Sequence, residues 1–336
     1  MRAVGYRKSL PIEAAESLID VDVAKPTPAG RDLLVEIKAI SVNPVDTKVR
    51  MRAEPPAGDI KILGYDAAGV VAATGPDVTL FKAGDAVSYA GSIVRQGTNA
   101  QFHLVDERIV GRKPRTLSFA EAAALPLTTI TAWEMLFDRL GVKRGETGDR
   151  RSLLIVGGAG GVGSIAIQLA RKLTGLSVIA TASRPETQQW VRALGAHHVI
   201  DHSRPLDAEI KAAKLPVDLV FSVTGTDGHY AAIADVMTPQ GRFGVIDDPK
   251  SFDAVKFKQK SISVHWELMF TRPMFSTPDM VEQHRLLNEV ADMVERGEIK
   301  TTLAENLGTI NAANLKKAHQ RIESGRARGK IVLEGF

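Results

Sequence analysis

One short stretch, residues 152–163, constrains the fold of this chain more than any other. A compact apolar run, SLLIV, leads directly into GGAGGVG. Gly158, Gly160 and Gly163 satisfy G-x-G-x-x-G. That pattern is weak alone and informative between a strand and a helix, where its mechanism requires it. Gly158 is expected to permit the tight turn. Gly160 removes the Cβ that would block a pyrophosphate, and Gly163 lets helix and strand pack closely. The N–H groups opening the helix, at Gly161, Val162 and Gly163, lack intrahelical partners and favour a phosphate together with the helix dipole. The competing reading is a glycine-rich turn with no ligand.

The surroundings support the ligand. Strands are predicted at 152–156, 177–182, 198–200, 217–223, 242–246 and 261–265, with helices at 162–173 and 185–194. This βαβα order implies a parallel, doubly wound sheet. The first 115 residues read differently, as β-rich with many turns. In residues 33–41, Val35, Ile37 and Ala39 alternate with Glu36 and Lys38, the pattern of a half-buried strand. Residues 69–74 form another strand before Gly75-Pro76, and 82–85 form a turn. Ser118 and Glu121 have capping-box spacing. Pro126 is expected to end that helix, and a second helix is expected over 129–140, capped by Gly141. A helix at 278–296 and a strand at 330–333 finish the chain. The expected class is α/β, with a Rossmann sheet inserted into a β-rich domain. Residues 1–127 and 270–336 form the outer domain, and 128–269 the inserted one. A chain of 336 residues suits two cores.

Composition narrows the function. With 44% hydrophobic and 24% charged residues, the chain reads as a soluble globular protein. It has no apolar run of 18 residues and no secretory h-region at its start, so a cytoplasmic location without membrane association is expected. Its 43 basic and 39 acidic side chains leave a net +4. The densest basic stretches, Arg112-Lys113-x-Arg115 and Arg326-x-Arg328-x-Lys330, are short and without interleaved aromatics, so no nucleic-acid partner is expected. A modest positive balance suits a phosphorylated cofactor. There is no cysteine, which removes disulfides, thiol catalysis and every thiolate-ligated metal site.

The end of the second Rossmann strand separates the two nicotinamide cofactors. NAD sites place a carboxylate there for the ribose 2′-hydroxyl. This chain has Ala182-Ser183-Arg184-Pro185, with no carboxylate before Glu186. Ser183 can donate to a 2′-phosphate, and Arg184 can neutralise it and stack on adenine. NADP(H) is the expected cofactor.

The segments SVNPVDTKVR (41–50), GYDAAGVV (64–71), LPLTTITAWEML (125–136), VGGAGGVGSIAIQLAR (156–171), LGAHHVID (194–201) and GKIVL (329–333) resemble the medium-chain dehydrogenase/reductase superfamily. The likeness is greatest to its quinone-oxidoreductase branch and to the nearby "zinc-type alcohol dehydrogenase-like" proteins. It implies that the β-rich domain is GroES-like. Zinc-dependent members carry Cys-x-x-Asp where this chain has Asn43-Pro44-Val45-Asp46, and Gly-His-Glu where it has Gly64-Tyr65-Asp66. Asn43 and Tyr65 thus replace two ligands, and the four-cysteine loop is missing. No zinc is expected. His197, His198 and His202 flank a short strand, where their spacing does not make them converge on a metal.

Without a Lewis acid, alcohol oxidation loses its alkoxide stabiliser. Quinones and activated enones accept hydride readily, so the resemblance implies hydride transfer from NADPH to a quinone or α,β-unsaturated carbonyl. Asn43, Asp46, Tyr65 and Thr128 are the catalytic candidates. Asn43 would donate its amide to a substrate oxygen, or alternatively be a turn residue before Pro44. Asp46 would orient its neighbours. Tyr65 would donate a hydrogen bond, or be a packed core tyrosine. Thr128 stands where the family contacts nicotinamide. The resemblance also makes His202 a wall of the adenosine phosphate pocket, and Thr224, Met269 and Lys330 further cofactor contacts. Trp266, Met269 and Phe270 would form a flat apolar wall, or ordinary packing. The alternatives are an NADP-dependent alcohol or carbonyl dehydrogenase, disfavoured because no Tyr-x-x-x-Lys pair occurs, and a non-catalytic NADPH-binding protein. The family's edge-to-edge pairing implies a homodimer.

Overall fold

The computed structural model describes residues 1–336 as two compact units. One comprises Met1–Ile130 with Phe270–Phe336, and the other Thr131–Met269.

The second unit carries a six-stranded sheet in the order His198–Ile200, Ser177–Thr181, Ser152–Val156, Leu219–Ser222, Arg242–Val245, Ser263–Trp266. Every pairing is parallel. Ser152–Val156 and Leu219–Ser222 are buried at every position, as expected where helices cover both faces. The strand order reverses beside Ser152–Val156, the position at which such sheets bind ligands beyond their carboxyl ends. The helix following that strand, Gly161–Leu173, buries Ile165, Ile167 and Leu169.

In the first unit, Asp32–Val42 is the spine. It pairs antiparallel with Ala67–Thr74, Phe102–Asp106 and Lys330–Glu334. The wider sheet adds Ala86–Tyr89, Val110–Arg112 and Leu303–Asn306. A three-stranded sheet joins Ile19–Asp22, Arg2–Tyr6 and Lys61–Ile62. The spine's alternation is as its sequence implies, with Val35, Ile37 and Ala39 buried and Glu36 and Lys38 half-exposed. Gly69 lies so close to the spine that a Cβ there would stand 2.2 Å from the Glu36 carbonyl oxygen. The last strand, Lys330–Glu334, pairs Ile331 with Val42, so the C-terminal segment delivers Lys330 beside the start of the helix Pro44–Arg52.

Some boundaries differ from expectation. Pro126 does not end a helix. The first helix, Phe119–Ala123, stops on its own, and Pro126 opens the next, Pro126–Trp133. Proline suits that place because its missing N–H would be unbonded there anyway. That helix continues as a π-helix over Glu134–Arg139, where the Leu140 N–H reaches the Met135 carbonyl at 2.8 Å. No periodicity argument anticipates the inserted residue. Asn43 is not a turn residue but the N-cap of Pro44–Arg52. The predicted helix 278–296 is Glu282–Glu295, preceded by the short helix Thr271–Phe275. No helix is long and apolar enough to cross a membrane.

Candidate functional site

The glycine loop of the second unit joins the strand Ser152–Val156 to the helix Gly161–Leu173. The residue with positive φ is Gly157 (+85°), so the tight turn falls there and not on Gly158. Gly158 is needed for packing, since its Cβ would lie 2.9 Å from that of Ala180. At Gly163 a Cβ would stand 2.4 Å from the Gly157 carbonyl oxygen, which is the close helix contact expected of the third motif glycine. Gly160 is different, because the nearest atom to a Cβ there is 3.6 Å away. The protein does not require glycine at that point for its own packing, so the open face is available to a ligand. The first bond of the helical ladder runs from the Ser164 N–H to the Gly160 carbonyl at 2.9 Å. The amides of Gly161, Val162 and Gly163 precede it and fall outside that ladder. These residues fit a dinucleotide pyrophosphate.

Thr181 ties the loop to the next strand. Its Oγ1 accepts the Gly157 N–H at 2.9 Å and lies 3.1 Å from His202 Nδ1. Burial lowers the pKa of His202, the Asp201 carboxylate opposes that shift, and the Arg184 cation adds to it. His202 is therefore held as a neutral imidazole beside the loop. Thr224 borders the same turn, its methyl 2.9 Å from where a Gly157 Cβ would stand. Ser183 and Arg184 are half-exposed at the start of the helix Pro185–Ala193, where Arg184 is the N-cap and its Nε lies 3.3 Å from Glu186. Met269 is buried. Thr181 was not singled out from the sequence. Its only mark there is a polar residue at the end of an apolar strand.

The first unit contains a buried polar cluster. Asp66 Oδ1 accepts the Leu127 N–H at 2.8 Å, and its Oδ2 accepts from Asn43 Nδ2 at 2.8 Å and Lys330 Nζ at 2.9 Å. The Lys330 ammonium also donates to Asn43 Oδ1 and, at 3.3 Å, to the Val42 carbonyl. Asp46 caps the Asn43 N–H at 2.7 Å and accepts the Gly64 N–H at 3.0 Å. Burial lifts Asp46 to about 7, against the pull of those donors and of Lys330. It lifts Asp66 as well, opposed first by Lys330. Gly64 (φ +109°) is required here, because a Cβ would meet Thr98 and Asn99 at 2.5 Å.

Tyr65 is fully buried, with its ring edge-on to Phe270 at 5.3 Å and no protein partner for its hydroxyl. Burial raises its pKa well above that of an ordinary phenol, so it is a hydrogen-bond donor and a poor acid. Thr128 is buried and donates to the Leu125 carbonyl at 3.1 Å. The structure thus joins Asn43, Asp46 and Lys330 into one network. Lys330 is spent within it, on Asp66 and Asn43.

This donor set does not fit a zinc ion. No three His, Cys, Asp or Glu side chains converge on a point, and the Lys330 ammonium already sits on the oxygens of Asp66 and Asn43. A second cation beside it would be repelled.

Two family models match the chain, "Alcohol dehydrogenase GroES-like domain" over residues 29–132 and "Zinc-binding dehydrogenase" over 194–333. A zinc-type alcohol dehydrogenase-like protein of Staphylococcus aureus is 40% identical over 99% of both chains. Among solved structures, a protein from Rhizobium etli described as a zinc-dependent alcohol dehydrogenase is 64% identical, with a TM-score of 0.96 over 100% of this chain and 98% of that one. Escherichia coli quinone oxidoreductase, solved with NADPH, is 26% identical, with a TM-score of 0.85 over 99% of this chain and 100% of that one. With relatives this similar over their whole length, on a GroES-like domain and a Rossmann sheet, the chain belongs to the medium-chain dehydrogenase/reductase superfamily of oxidoreductases.

Proposed function

We propose that the protein is a zinc-independent reductase that uses NADPH to reduce a quinone or an α,β-unsaturated carbonyl. The observation that carries the reading is the end of the strand Ser177–Thr181. Ser183 and Arg184 follow it beside the glycine loop, and the first carboxylate is Glu186, already salt-bridged to Arg184. That arrangement suits a 2′-phosphate and gives a 2′-hydroxyl no carboxylate acceptor. The likeness to a quinone oxidoreductase solved with NADPH agrees with it.

When bound, NADPH supplies the hydride. Gly158, Gly160 and the amides of Gly161, Val162 and Gly163 hold its pyrophosphate. Ser183, Arg184 and His202 hold the adenosine phosphate, and Thr224, Thr128 and Met269 contact its nicotinamide half. Tyr65 has an unused buried hydroxyl, which donates a hydrogen bond to the acceptor's oxygen as charge develops there. Asn43 is buried with its Nδ2 on Asp66 and the Ser41 carbonyl and its Oδ1 on Lys330, so, contrary to expectation, it holds the cluster together and does not donate to a substrate, and Asp46 fixes the backbone at Asn43 and Gly64. The product oxyanion takes its proton from water, since Tyr65 is too weak an acid at neutral pH. The proposed assembly is a homodimer through the strand Ser263–Trp266. This strand is the sheet's edge and leaves Trp266 54% exposed.

The test is NADPH oxidation with quinones, enones, aldehydes and ketones as acceptors, before and after chelation of metals. Turnover confined to quinones or enones, unchanged by the chelator, is expected. Turnover of simple aldehydes that a chelator abolishes would overturn the proposal.

A further inference from the structure

The first unit holds a cavity of about 270 Å³, lined entirely by its own residues. Its two walls come from distant parts of the chain. One is the turn at residues 92–95, closed by the Arg95 N–H on the Ser92 carbonyl at 3.2 Å, together with the end of the strand Phe102–Asp106. The other is the segment 273–280. Both walls are fastened beside Tyr65. Just after the turn, the N–H groups of Gly97, Thr98 and Asn99 donate to the carbonyls of Ile62, Gly64 and Leu63 at 2.8, 3.0 and 2.9 Å. On the other side, the Met274 N–H donates to the Phe270 carbonyl at 2.8 Å, and the Phe270 ring stands edge-on to Tyr65.

The lining selects by chemistry. Val105, Ile109 and Met280 are buried and Met274 is half-buried, so the body of the cavity is apolar, and its two methionines let it adapt in shape. Two charged side chains border it, and both are already paired. Arg95 forks onto Asp32, with Nη1 and Nη2 at 2.7 and 2.9 Å from the two carboxylate oxygens. Asp106 accepts Arg108 Nε and Nη2 at 2.9 and 2.8 Å. An ionic ligand would have to break one of these pairs or enter without a counter-ion. Ser92 also belongs to the lining, is 7% exposed, and has a hydroxyl with no partner in the protein. A buried hydroxyl in that state lacks one hydrogen bond, which a carbonyl or hydroxyl oxygen of a ligand supplies. The volume is nearly twice the ~150 Å³ that encloses one benzene, so it takes an apolar group of one or two rings.

We infer that this cavity is the subsite for the non-reacting part of the acceptor, a neutral, apolar substituent of one or two rings bearing an oxygen that Ser92 serves. This rests on the reductase reading above and narrows its acceptor to a quinone or enone with a bulky, uncharged substituent. Tyr65 meets the reacting oxygen, and the walls fastened beside Tyr65 receive the rest of the molecule. Binding energy gained there, away from the reacting atoms, goes to orienting the carbonyl and so raises kcat/KM. Val94 is part of the lining and 63% exposed, which places it where the cavity meets solvent.

Two readouts separate binding from turnover. Equilibrium dialysis of the whole protein without cofactor compares 2-acetylnaphthalene, a neutral two-ring ketone, with 2-naphthoate, an anion of the same shape. The ketone should bind, and the carboxylate should bind about tenfold more weakly. Ser92→Ala should weaken the ketone about fivefold, and Met274→Trp, which fills the cavity, about tenfold. In NADPH oxidation, both substitutions should lower kcat/KM by similar factors for 2-(4-acetylphenyl)-1,4-benzoquinone and leave it unchanged for 2-methyl-1,4-benzoquinone. Ser92→Ala removes a single atom, so it keeps the test decisive if the tryptophan disturbs folding. No ketone binding, or equal binding in all three proteins, would overturn the site. A carboxylate bound as tightly as the ketone would overturn the neutral class. Weakened ketone binding without a selective loss for the bulky quinone would overturn the acceptor role and leave the reductase reading standing. Oxidation of NADPH by neither quinone would overturn the reductase reading, and the cavity's part in it, even where the ketone binds.

Discussion

Each unit buries a pair of acids, and the two pairs are neutralised differently. In the first, Asp66 receives an ammonium, an amide and a backbone N–H, while Asp46 receives two backbone N–H groups. In the second, Glu267 has one arginine, Arg139, and the buried Glu134 carboxyl near it. The first cluster is a lattice that surrounds its acids with donors of several kinds, the second gives Glu267 a single cation, and in both burial raises the acids above the ordinary carboxylate range. A buried charge needs donors to persist, and where they run short the group takes up a proton.

Removing the donor should hurt the first unit most. Lys330→Met leaves Asp66 buried without its cation and should cost about 3–5 kcal/mol in urea unfolding. Adding Asp66→Asn should restore most of that. A loss below about 1 kcal/mol would mean that the lattice is not ionic.

The glycine loop sharpens the comparison, because its residues separate packing from ligand binding. Gly163→Ala puts a Cβ 2.4 Å from the Gly157 oxygen and should cost about 1–3 kcal/mol by thermal unfolding. Gly160→Ala meets nothing nearer than 3.6 Å, so it should leave unfolding unchanged and weaken NADPH binding. Unchanged binding would remove the pyrophosphate from that face.

The pH dependence of stability is the subtlest contrast. Asp46 and Glu267 have folded pKa values raised to about 7 and about 9, so the folded state holds protons that the unfolded chain has released. Their contribution is full below the ordinary carboxylate range. It is lost as pH rises, through about 7 for Asp46 and about 9 for Glu267. His103 and His319 act oppositely. Burial lowers them to about 4 and about 3, so their contribution is present above the ordinary imidazole range and lost in acid. Urea midpoints should therefore decline from pH 7 to 9, and Glu267→Gln should flatten that limb while Asp46→Asn flattens the one below 7. A Glu267→Gln profile parallel to wild type would contradict the raised pKa of Glu267.

The two clusters also differ in how far the sequence reveals them. The Rossmann strands and the glycine motif are local patterns, so the alternation of strands and helices and the start of the helix after the glycines were readable in one pass. Only the assignment of the turn slipped by one residue, because φ is not visible in a run of two glycines. Asn43, Asp46, Tyr65 and Lys330 were named from a resemblance. That Lys330 lies on Asp66 and Asn43 depends on strand pairing across 264 and 287 residues, which no local spacing encodes. Thr181 and the Glu134–Glu267 pair escaped for the same reason. The π-helix escaped because its sequence, EMLFDR, fits an α-helix equally well.

The central claim is the cofactor, and the direct measurement is a titration with NADPH and NADH, followed by nicotinamide fluorescence, in the wild type and in Arg184→Ala. NADPH should bind the more tightly, and the substitution should weaken it selectively, by about tenfold for the loss of one charge-assisted phosphate contact. Equal binding of the two cofactors, or of NADPH to both proteins, would contradict the account.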